Sequence, residues 1–212
     1  SPLLLPYFPQ SLAQFSKHYY FRQRRVPQFE PSLGCYDSEL FYTLCPGEHT
    51  LENKEFINTY SVNSKGLRDF ESALDAPEII VLGDSYAMGM GVEHDKAFPA
   101  LLQKLTGMKV LNAGVSSYGT VRELKMLNRL DTSRLRFLVI QYCANDLIEN
   151  ATFKAKGNQL PIRSREEFRE LVALQDSVFS HYFSLDVLRK GWRLLSGERA
   201  PADELAPSNA NE

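Results

Sequence analysis

Three short segments of the sequence carry residue types that acyl-transfer chemistry requires. Ser85 closely follows an apolar run at 79–82, and Gly114 and Asn145 follow two later apolar runs. A serine hydroxyl can attack an ester carbonyl, while backbone N–H groups and an asparagine amide can stabilise the resulting oxyanion. The sequence therefore predicts a nucleophile at Ser85 and an oxyanion hole formed by the Ser85 N–H, the Gly114 N–H and the Asn145 side chain.

Each segment on its own also has a purely structural interpretation. Asp84 and Ser85 suit a tight turn or a helix N-cap, Gly114 suits a tight turn, and Asn145 with Asp146 suits an Asx turn or a cap. We interpret Asp84 and Asp146 as supporting residues, with Asp84 shaping the turn before the nucleophile. The occurrence of all three segments at successive strand ends is what favours a catalytic site.

Alternating strands and helices predict an α/β domain that brings the three segments together. The predicted elements, in chain order, are strand 79–82, helix 98–105, strand 109–114, helix 120–130 and strand 136–142. In the second helix the spacing predicts that Leu124, Leu127 and Leu130 point inward. This order predicts right-handed parallel crossovers, so the loops that follow the strands should meet at one edge of the sheet.

The predicted organisation has four parts. They are an N-terminal appendage at 1–63, the α/β core at 64–150, a helical insertion at 151–195 and a linker or disordered tail at 196–212. Within these parts the pattern predicts a helix at 11–25, edge strands or a hairpin at 40–44 and 56–62, and helices at 165–178 and 181–195. Only three strands are convincing where an open α/β sheet usually has about five, so the sheet is expected to be incomplete.

The combination of segments resembles the SGNH (GDSL) hydrolase family. Gly-Asp-Ser at 83–85 resembles the first block of that family, Gly114 the second and Asn145 the third, and residues 60–69 resemble a lead-in found in many bacterial members. The resemblance spans roughly residues 40–150. It implies a three-layer α/β/α flavodoxin-like fold with a parallel sheet, incomplete at the C-terminus, and a serine esterase or acylhydrolase without a cofactor.

Two features depart from the family pattern. The third block usually reads Gly-x-Asn-Asp, and residues 142–146 lack the glycine. The fourth block, Asp-x-x-His, supplies the general base and is absent from the sequence; Asp176 precedes His181 by five positions, and His94 lies in the loop after the nucleophile. Both histidines are interpreted as surface residues. We favour a fragment whose Asp-x-x-His lies beyond Glu212; the alternatives are omitted internal segments or an inactive, truncated relative.

Composition and charge exclude some classes of binding partner. With a net charge of −2 in 212 residues and one short basic cluster at 22–25, the sequence gives no case for nucleic-acid binding. No apolar run approaches the roughly 18 residues of a membrane-spanning helix, so any membrane anchor is expected outside this chain. The expected partner is a small-molecule, glycan or lipid ester. No Cys/His cluster or HExxH pattern indicates a metal site.

The three cysteines bear on the compartment. Cys35 and Cys45 form either a disulfide or two free thiols, and Cys143 is predicted as an apolar filler in a buried strand. The predicted location is periplasmic or at the cell surface, with the cytoplasm left open.

The predicted activity is hydrolysis of an acyl ester; the alternatives are an O-acetyltransferase or deacetylase acting on a cell-envelope polysaccharide, and a non-catalytic binding module.

Overall fold

A computed structural model describes residues 25–180, with side chains described through residue 176. Arg25–Ala173 form one compact unit, and the last helix continues past it to Ser180. The predicted helix at 181–195 and the tail at 196–212 lie outside the described residues, as does the predicted helix at 11–25 apart from its last residue.

The described residues contain two hairpins followed by an α/β unit. The strands are β1 (Gly34–Asp37), β2 (Phe41–Leu44), β3 (Gly47–Glu52), β4 (Ile57–Val62), β5 (Ile79–Leu82), β6 (Val110–Asn112) and β7 (Phe137–Ile140). The α-helices are α1 (Ser85–Met88), α2 (Phe98–Thr106), α3 (Thr120–Leu127), α4 (Ala144–Ala155) and α5 (Arg165–Ser180). Short 3-10 helices lie at Pro27–Phe29, Glu71–Leu74 and His94–Lys96.

The α/β unit is built on a parallel sheet of three strands in the order β6-β5-β7. The chain leaves β5 towards β6 on one side and then crosses to β7 on the other side. In open α/β sheets, ligands bind beyond the carboxyl ends of strands at such a reversal. Here the two segments that flank the reversal are those that follow β5 and β7, which lead to Ser85 at the start of α1 and Asn145 at the start of α4.

The central strand β5 is buried on both faces, as its continuous apolar run predicts. Successive side chains of a strand point to opposite faces, so β5 contributes to two separate apolar clusters. Ile80 and Leu82 belong to one cluster and Ile79 and Val81 to the other. Met126 of α3 and Phe168 of α5 pack in the first cluster, and Ala87 of α1 and Leu102 of α2 pack in the second. Helices therefore contribute to the apolar packing on both faces of the sheet.

The strand predicted at 136–142 is present as β7, but it is not buried. Phe137 is 51% exposed, Leu138 39% and Ile140 44%. Edge position alone does not explain this exposure, because β6 is also an outer strand and its residues are buried. α2 packs against β6, whereas Val139 is the one residue of β7 that packs against an apolar cluster of the described residues. Cys143 lies after β7, at the N-cap of α4, so its prediction as a filler inside a buried strand is wrong.

The helix predicted at 120–130 is shorter than expected and one of its inward residues is wrong. Leu124 is 44% exposed, whereas Leu127 and Leu130 pack against the first apolar cluster. The fully buried positions of α3 are Met126 and Glu123. The helix is therefore rotated relative to the leucine spacing so that a carboxyl group enters the interior.

The predicted strands at 40–44 and 56–62 are confirmed as β2 and β4. β1 pairs with β2 and β3 with β4, both antiparallel. Cys35 and Cys45 form a disulfide that closes the first hairpin, which decides between the two predicted states of these cysteines. No helix among the described residues is long and apolar enough to cross a bilayer.

Candidate active site

The turn after β5 presents Ser85 with its N–H and hydroxyl unpaired. Asp84 is buried, and its side chain accepts a hydrogen bond from the Tyr86 N–H at 2.9 Å. Gln141 Oε1 accepts hydrogen bonds from the N–H groups of Asp84 at 3.2 Å and Ala87 at 3.3 Å. Within residues 25–180, neither the N–H nor the hydroxyl of Ser85 has a hydrogen-bond partner. The N–H groups of the neighbouring residues are thus hydrogen-bonded, whereas the N–H and hydroxyl of the partly exposed Ser85 are available to a ligand.

Gln141 is a site residue that the sequence reasoning missed. It lies immediately after β7, and its amide oxygen bridges that strand to the turn at Asp84. Its only sequence signal is a polar residue directly after an apolar strand run. Its role depends on which strand lies beside β5, and the sequence alone does not specify that neighbour.

The loop after β6 packs Gly114 against α1. A Cβ at position 114 would lie 2.7 Å from the Ala87 Cβ, so only glycine permits this approach. The Gly114 N–H donates to Asn112 Oδ1 at 3.1 Å. Gly114 therefore lies at the predicted place in the fold, but its N–H is already engaged by a buried side chain.

A different residue of the same loop has an unpaired N–H. Ser117 has a φ of 60°, in the left-handed region, and its N–H has no acceptor among the described residues. Its hydroxyl accepts a hydrogen bond from Gln28 Nε2 at 3.0 Å. Sequence reasoning missed Ser117, because a serine with positive φ leaves no signal that distinguishes it from an ordinary loop serine.

The loop after β7 joins the other two loops. Asn145 Nδ2 donates to the Tyr118 carbonyl at 3.1 Å, which ties α4 to the loop after β6. The Cys143 thiol interacts electrostatically with the Asp84 carboxylate, which relates the same region to the turn after β5. Burial, and then this carboxylate, raise the pKa of the Cys143 thiol. The structure thus brings together the three segments that carry Ser85, Gly114 and Asn145.

Asp146 is a structural residue in the described site. It is fully buried, and its carboxylate accepts hydrogen bonds from the Cys143 N–H at 2.6 Å and the Thr120 hydroxyl at 2.9 Å. These bonds form the N-terminal cap of α4 and connect it to α3. Asp146 therefore fixes the helix that carries Asn145.

Glu123 is a third buried carboxyl group at this end of the sheet, after Asp84 and Asp146. Its side chain is fully buried, and neither of its oxygens has a partner among the described residues. Burial and, to a smaller extent, the negative charges of Asp146, Asp84 and Glu149 together raise the pKa of Glu123 to about 8. At neutral pH this carboxyl group is therefore mainly protonated.

The described histidines do not provide a base for Ser85. His94 Nε2 lies 3.8 Å from Asp69 Oδ1, and its ring contacts the Phe70 ring at a tilt of 59°, with 4.5 Å between ring centroids. The pair lines a cavity of about 140 Å³ between α2 and β6 that Ser85 does not line. His49 contacts the Cys45 carbonyl in the first hairpin region. His18 and His181 lie outside the described residues.

No group of three or more His, Cys, Asp or Glu side chains in the described part of the chain is arranged to hold a metal ion. Comparison with family models gave no match. The search of curated proteins also gave no significant match.

Proposed function

We propose that this chain is a serine hydrolase of the SGNH type that cleaves an acyl ester, with Ser85 as the nucleophile. The observation that carries this proposal is the pairing pattern after β5. Asp84, Tyr86 and Ala87 all have acceptors for their N–H groups, while the N–H and hydroxyl of Ser85 have none among the described residues. A free hydroxyl beside a free donor suits attack on a carbonyl, because the same residue can hold the oxyanion that its attack creates.

The strand order supports the finer fold assignment. The first three strands of a flavodoxin-like sheet are arranged 2-1-3, and β6-β5-β7 is the same arrangement. We therefore propose the three-layer α/β/α fold of the SGNH family for this unit.

The proposed reaction has two steps. Ser85 Oγ bonds to the ester carbonyl carbon and the alcohol leaves; water then attacks the acyl-enzyme and releases the acid. The Ser85 N–H and the second amide hydrogen of Asn145 donate to the oxyanion, since the first amide hydrogen is bound to the Tyr118 carbonyl. The proton of Ser85 passes to a base, for which we propose a histidine outside residues 25–180.

The third oxyanion donor is chosen among the N–H groups of the loop after β6. The Gly114 N–H can donate only if it releases Asn112 Oδ1, to which it is bound at 3.1 Å. The N–H groups of Ser116 and Ser117 have no acceptor among the described residues, but Ser116 is buried whereas Ser117 is partly exposed. We therefore propose Ser117 as the third donor in place of Gly114.

The disulfide supports a proposal about the compartment. Bridged cysteines persist mainly in oxidising compartments, so Cys35–Cys45 supports a periplasmic or cell-surface location. We accordingly propose a glycan or lipid ester as the substrate.

A fluorophosphonate probe tests the assignment of Ser85. The full chain should become covalently labelled, mass spectrometry should place the adduct on Ser85, and Ser85→Ala should abolish it. Ser133→Ala, which changes an exposed serine, is the matched control and should leave labelling unchanged. Absence of labelling in the unchanged protein, or labelling that persists in Ser85→Ala, would overturn the proposal.

One observation favours a second candidate, a binding module without catalysis. Within residues 25–180 no base contacts the Ser85 hydroxyl, and a serine without a base is a weak nucleophile. This candidate predicts no labelling by the probe, together with retained binding of an ester ligand measured by calorimetry.

A further inference from the structure

Arg68 makes an unusual set of contacts behind the nucleophile turn. Its side chain is fully buried. One terminal nitrogen, Nη1, donates to the carbonyls of Met88 at 3.3 Å and Gly89. The other, Nη2, donates to the carbonyls of Val92 at 2.7 Å and Thr59 at 3.3 Å. Arg68 therefore joins the segment that follows Ser85 to the second hairpin.

No carboxylate forms an ion pair with Arg68 in the described part of the chain. The guanidinium group lies over the Tyr60 ring, 3.9 Å from its centroid. Burial lowers the pKa of Arg68, and Tyr60 and Glu93 partly oppose this effect. Burying a cation without a paired charge destabilises the folded state. We therefore expect Arg68 to have a role that a neutral side chain could not perform. The contacts indicate that this role is to bind carbonyl groups around α1.

Hydrogen bonds to these carbonyl groups stabilise α1, which is a single helical turn. It begins at Ser85 and ends at Met88, and the carbonyls at a helix C-terminus have no partner within the helix. Arg68 binds the Met88 carbonyl and the next one, at Gly89. A side chain from the lead-in segment at 60–69 thus binds the end of α1 opposite Ser85.

The adjacent residue Asp69 fixes the loop after β6. Asp69 Oδ2 accepts a hydrogen bond from the Asn112 N–H at 2.8 Å, and its other oxygen accepts one from the Phe70 N–H. The Asn112 side chain in turn accepts from the Gly114 N–H and donates to the Met88 carbonyl at 3.4 Å. The contacts of Arg68 and Asn112 therefore converge on one acceptor, the carbonyl of Met88.

We propose that Arg68 is a positioning residue for the reaction assigned to Ser85, setting the nucleophile turn against the loop that carries Gly114 and Ser117. The inference rests on the proposed function, since it concerns the same site. Arg68 does not touch the reacting atoms. Its loss displaces Ser85 relative to the oxyanion donors, and a displacement of about 1 Å can cost up to about a hundredfold in rate.

The test compares Arg68→Lys and Arg68→Met with Arg129→Met. Arg129 is a matched control because it binds Asp37 and Glu39 and has no hydrogen bond to α1 or the loop after β6 in the described structure. The rate of fluorophosphonate labelling is measured against probe concentration, which separates the maximal labelling rate from the half-saturating concentration. Circular dichroism gives the folded fraction of each variant.

Misplacement of the nucleophile should lower the maximal labelling rate and leave the half-saturating concentration within about twofold. We expect a loss of at least about tenfold for Arg68→Met and a smaller loss for Arg68→Lys, whose single ammonium cannot reach four carbonyls. Arg129→Met should lose stability and retain its labelling rate. If Arg68→Met does not fold, Arg68→Lys carries the test, and an unchanged maximal rate in that variant overturns the inference.

Hydrogen exchange separates failure of this inference from failure of the proposed function. In Arg68→Lys, the amides of residues 85–92 and 112–118 should exchange faster than in the unchanged protein and in Arg129→Met. If the unchanged protein is not labelled, the proposed reaction fails and Arg68 has no catalytic role to support. Faster exchange would then still establish that Arg68 holds both loops, and unchanged exchange would reject that as well.

Discussion

Gly114 lies so close to Met88 that a Cβ at position 114 would stand 2.5 Å from the Met88 backbone nitrogen. This distance is shorter than a normal non-bonded contact between carbon and nitrogen. The loop after β6 can therefore pack against the turn that begins at Ser85 only if residue 114 is glycine. Gly114→Ala should therefore force the two segments apart. We expect a loss of at least about 2 kcal/mol in the free energy of unfolding, measured by urea denaturation, together with slower probe labelling of Ser85.

Gly107→Ala provides the control for this prediction. Gly107 has a φ of 69° at the C-terminus of α2, and a Cβ there would meet nothing within 4 Å. Its substitution should cost only the backbone penalty of roughly 1 kcal/mol and leave labelling unchanged. Equal losses of stability and labelling in the two variants would contradict the packing argument.

Glu123→Gln should change how stability depends on pH. The pKa of Glu123 lies at about 8 in the folded protein and near 4.5 in the unfolded chain. The unfolded state therefore releases this proton first, and stability that is fully present below pH 4.5 is lost as pH rises to about 8. The maximum slope from one such group is about 1.4 kcal/mol for each pH unit. Glutamine cannot ionise, so the variant should be more stable than the unchanged protein at pH 8.

Urea denaturation at pH 5, 6, 7 and 8 measures this effect. Glu166→Gln, at an exposed position of α5, is the control and should follow the curve of the unchanged protein. Parallel curves for Glu123→Gln and the unchanged protein would show that Glu123 has the same pKa in both states.

The three strands of the parallel sheet could be predicted from sequence because each contains a short apolar run, whereas β1 and β3 contain none and were not predicted. The run at 79–82 became β5, and the segments after the three runs, which carry the serine, glycine and asparagine, contact one another. What could not be predicted are the hydrogen bonds that depend on distant neighbours. Asn112 occupies the Gly114 N–H, and Gln141 binds the turn at Asp84, because the fold places strands that are far apart in sequence side by side.

Burial was harder to predict than the elements themselves. The leucine spacing of α3 indicated an inward Leu124, but the interior contains Glu123, since spacing does not reveal a carboxyl group that folds protonated. Phe137 in β7 has a sequence environment like that of β5 and is half exposed. Edge position does not account for this, since the other outer strand, β6, is buried. The exposure reflects how little of the described chain packs over β7, which the local pattern does not encode.

Arg129→Met should weaken the link between the first hairpin and the segment after α3. Arg129 donates to both carboxylate oxygens of Asp37, at 2.6 and 3.0 Å, and to Glu39. Burial raises the pKa of Asp37, but the Arg129 hydrogen bond and the N–H groups of Glu39 and Leu40 outweigh it, so the pKa lies below 3.8. We expect a loss of about 1–2 kcal/mol at pH 7, reduced because both partners are partly exposed.

The acid dependence of this loss provides a second measurement. The stabilisation from Asp37 is present above pH 3.8 and is lost as pH falls through the lower folded pKa. The difference between Arg129→Met and the unchanged protein should therefore shrink below pH 3.8. Arg134→Met, at an exposed position, should show no such difference. A difference that persists unchanged at the lowest pH would argue against the ion pair as its source.

The Cys35–Cys45 disulfide should make stability depend on the redox state. The bridge spans ten positions and closes the hairpin of β1 and β2, whose residues Leu40 and Tyr42 belong to the core cluster beside β5. A loop of this length restricts the unfolded chain by about 2–3 kcal/mol in the chain-entropy description. Dithiothreitol should therefore lower the urea midpoint of the unchanged protein, and the double variant Cys35→Ala with Cys45→Ala should have the lower midpoint with or without reductant. Cys143→Ala retains the bridge, so its midpoint should still fall when reductant is added. A reductant effect that survives in the double variant would assign the redox response to another group.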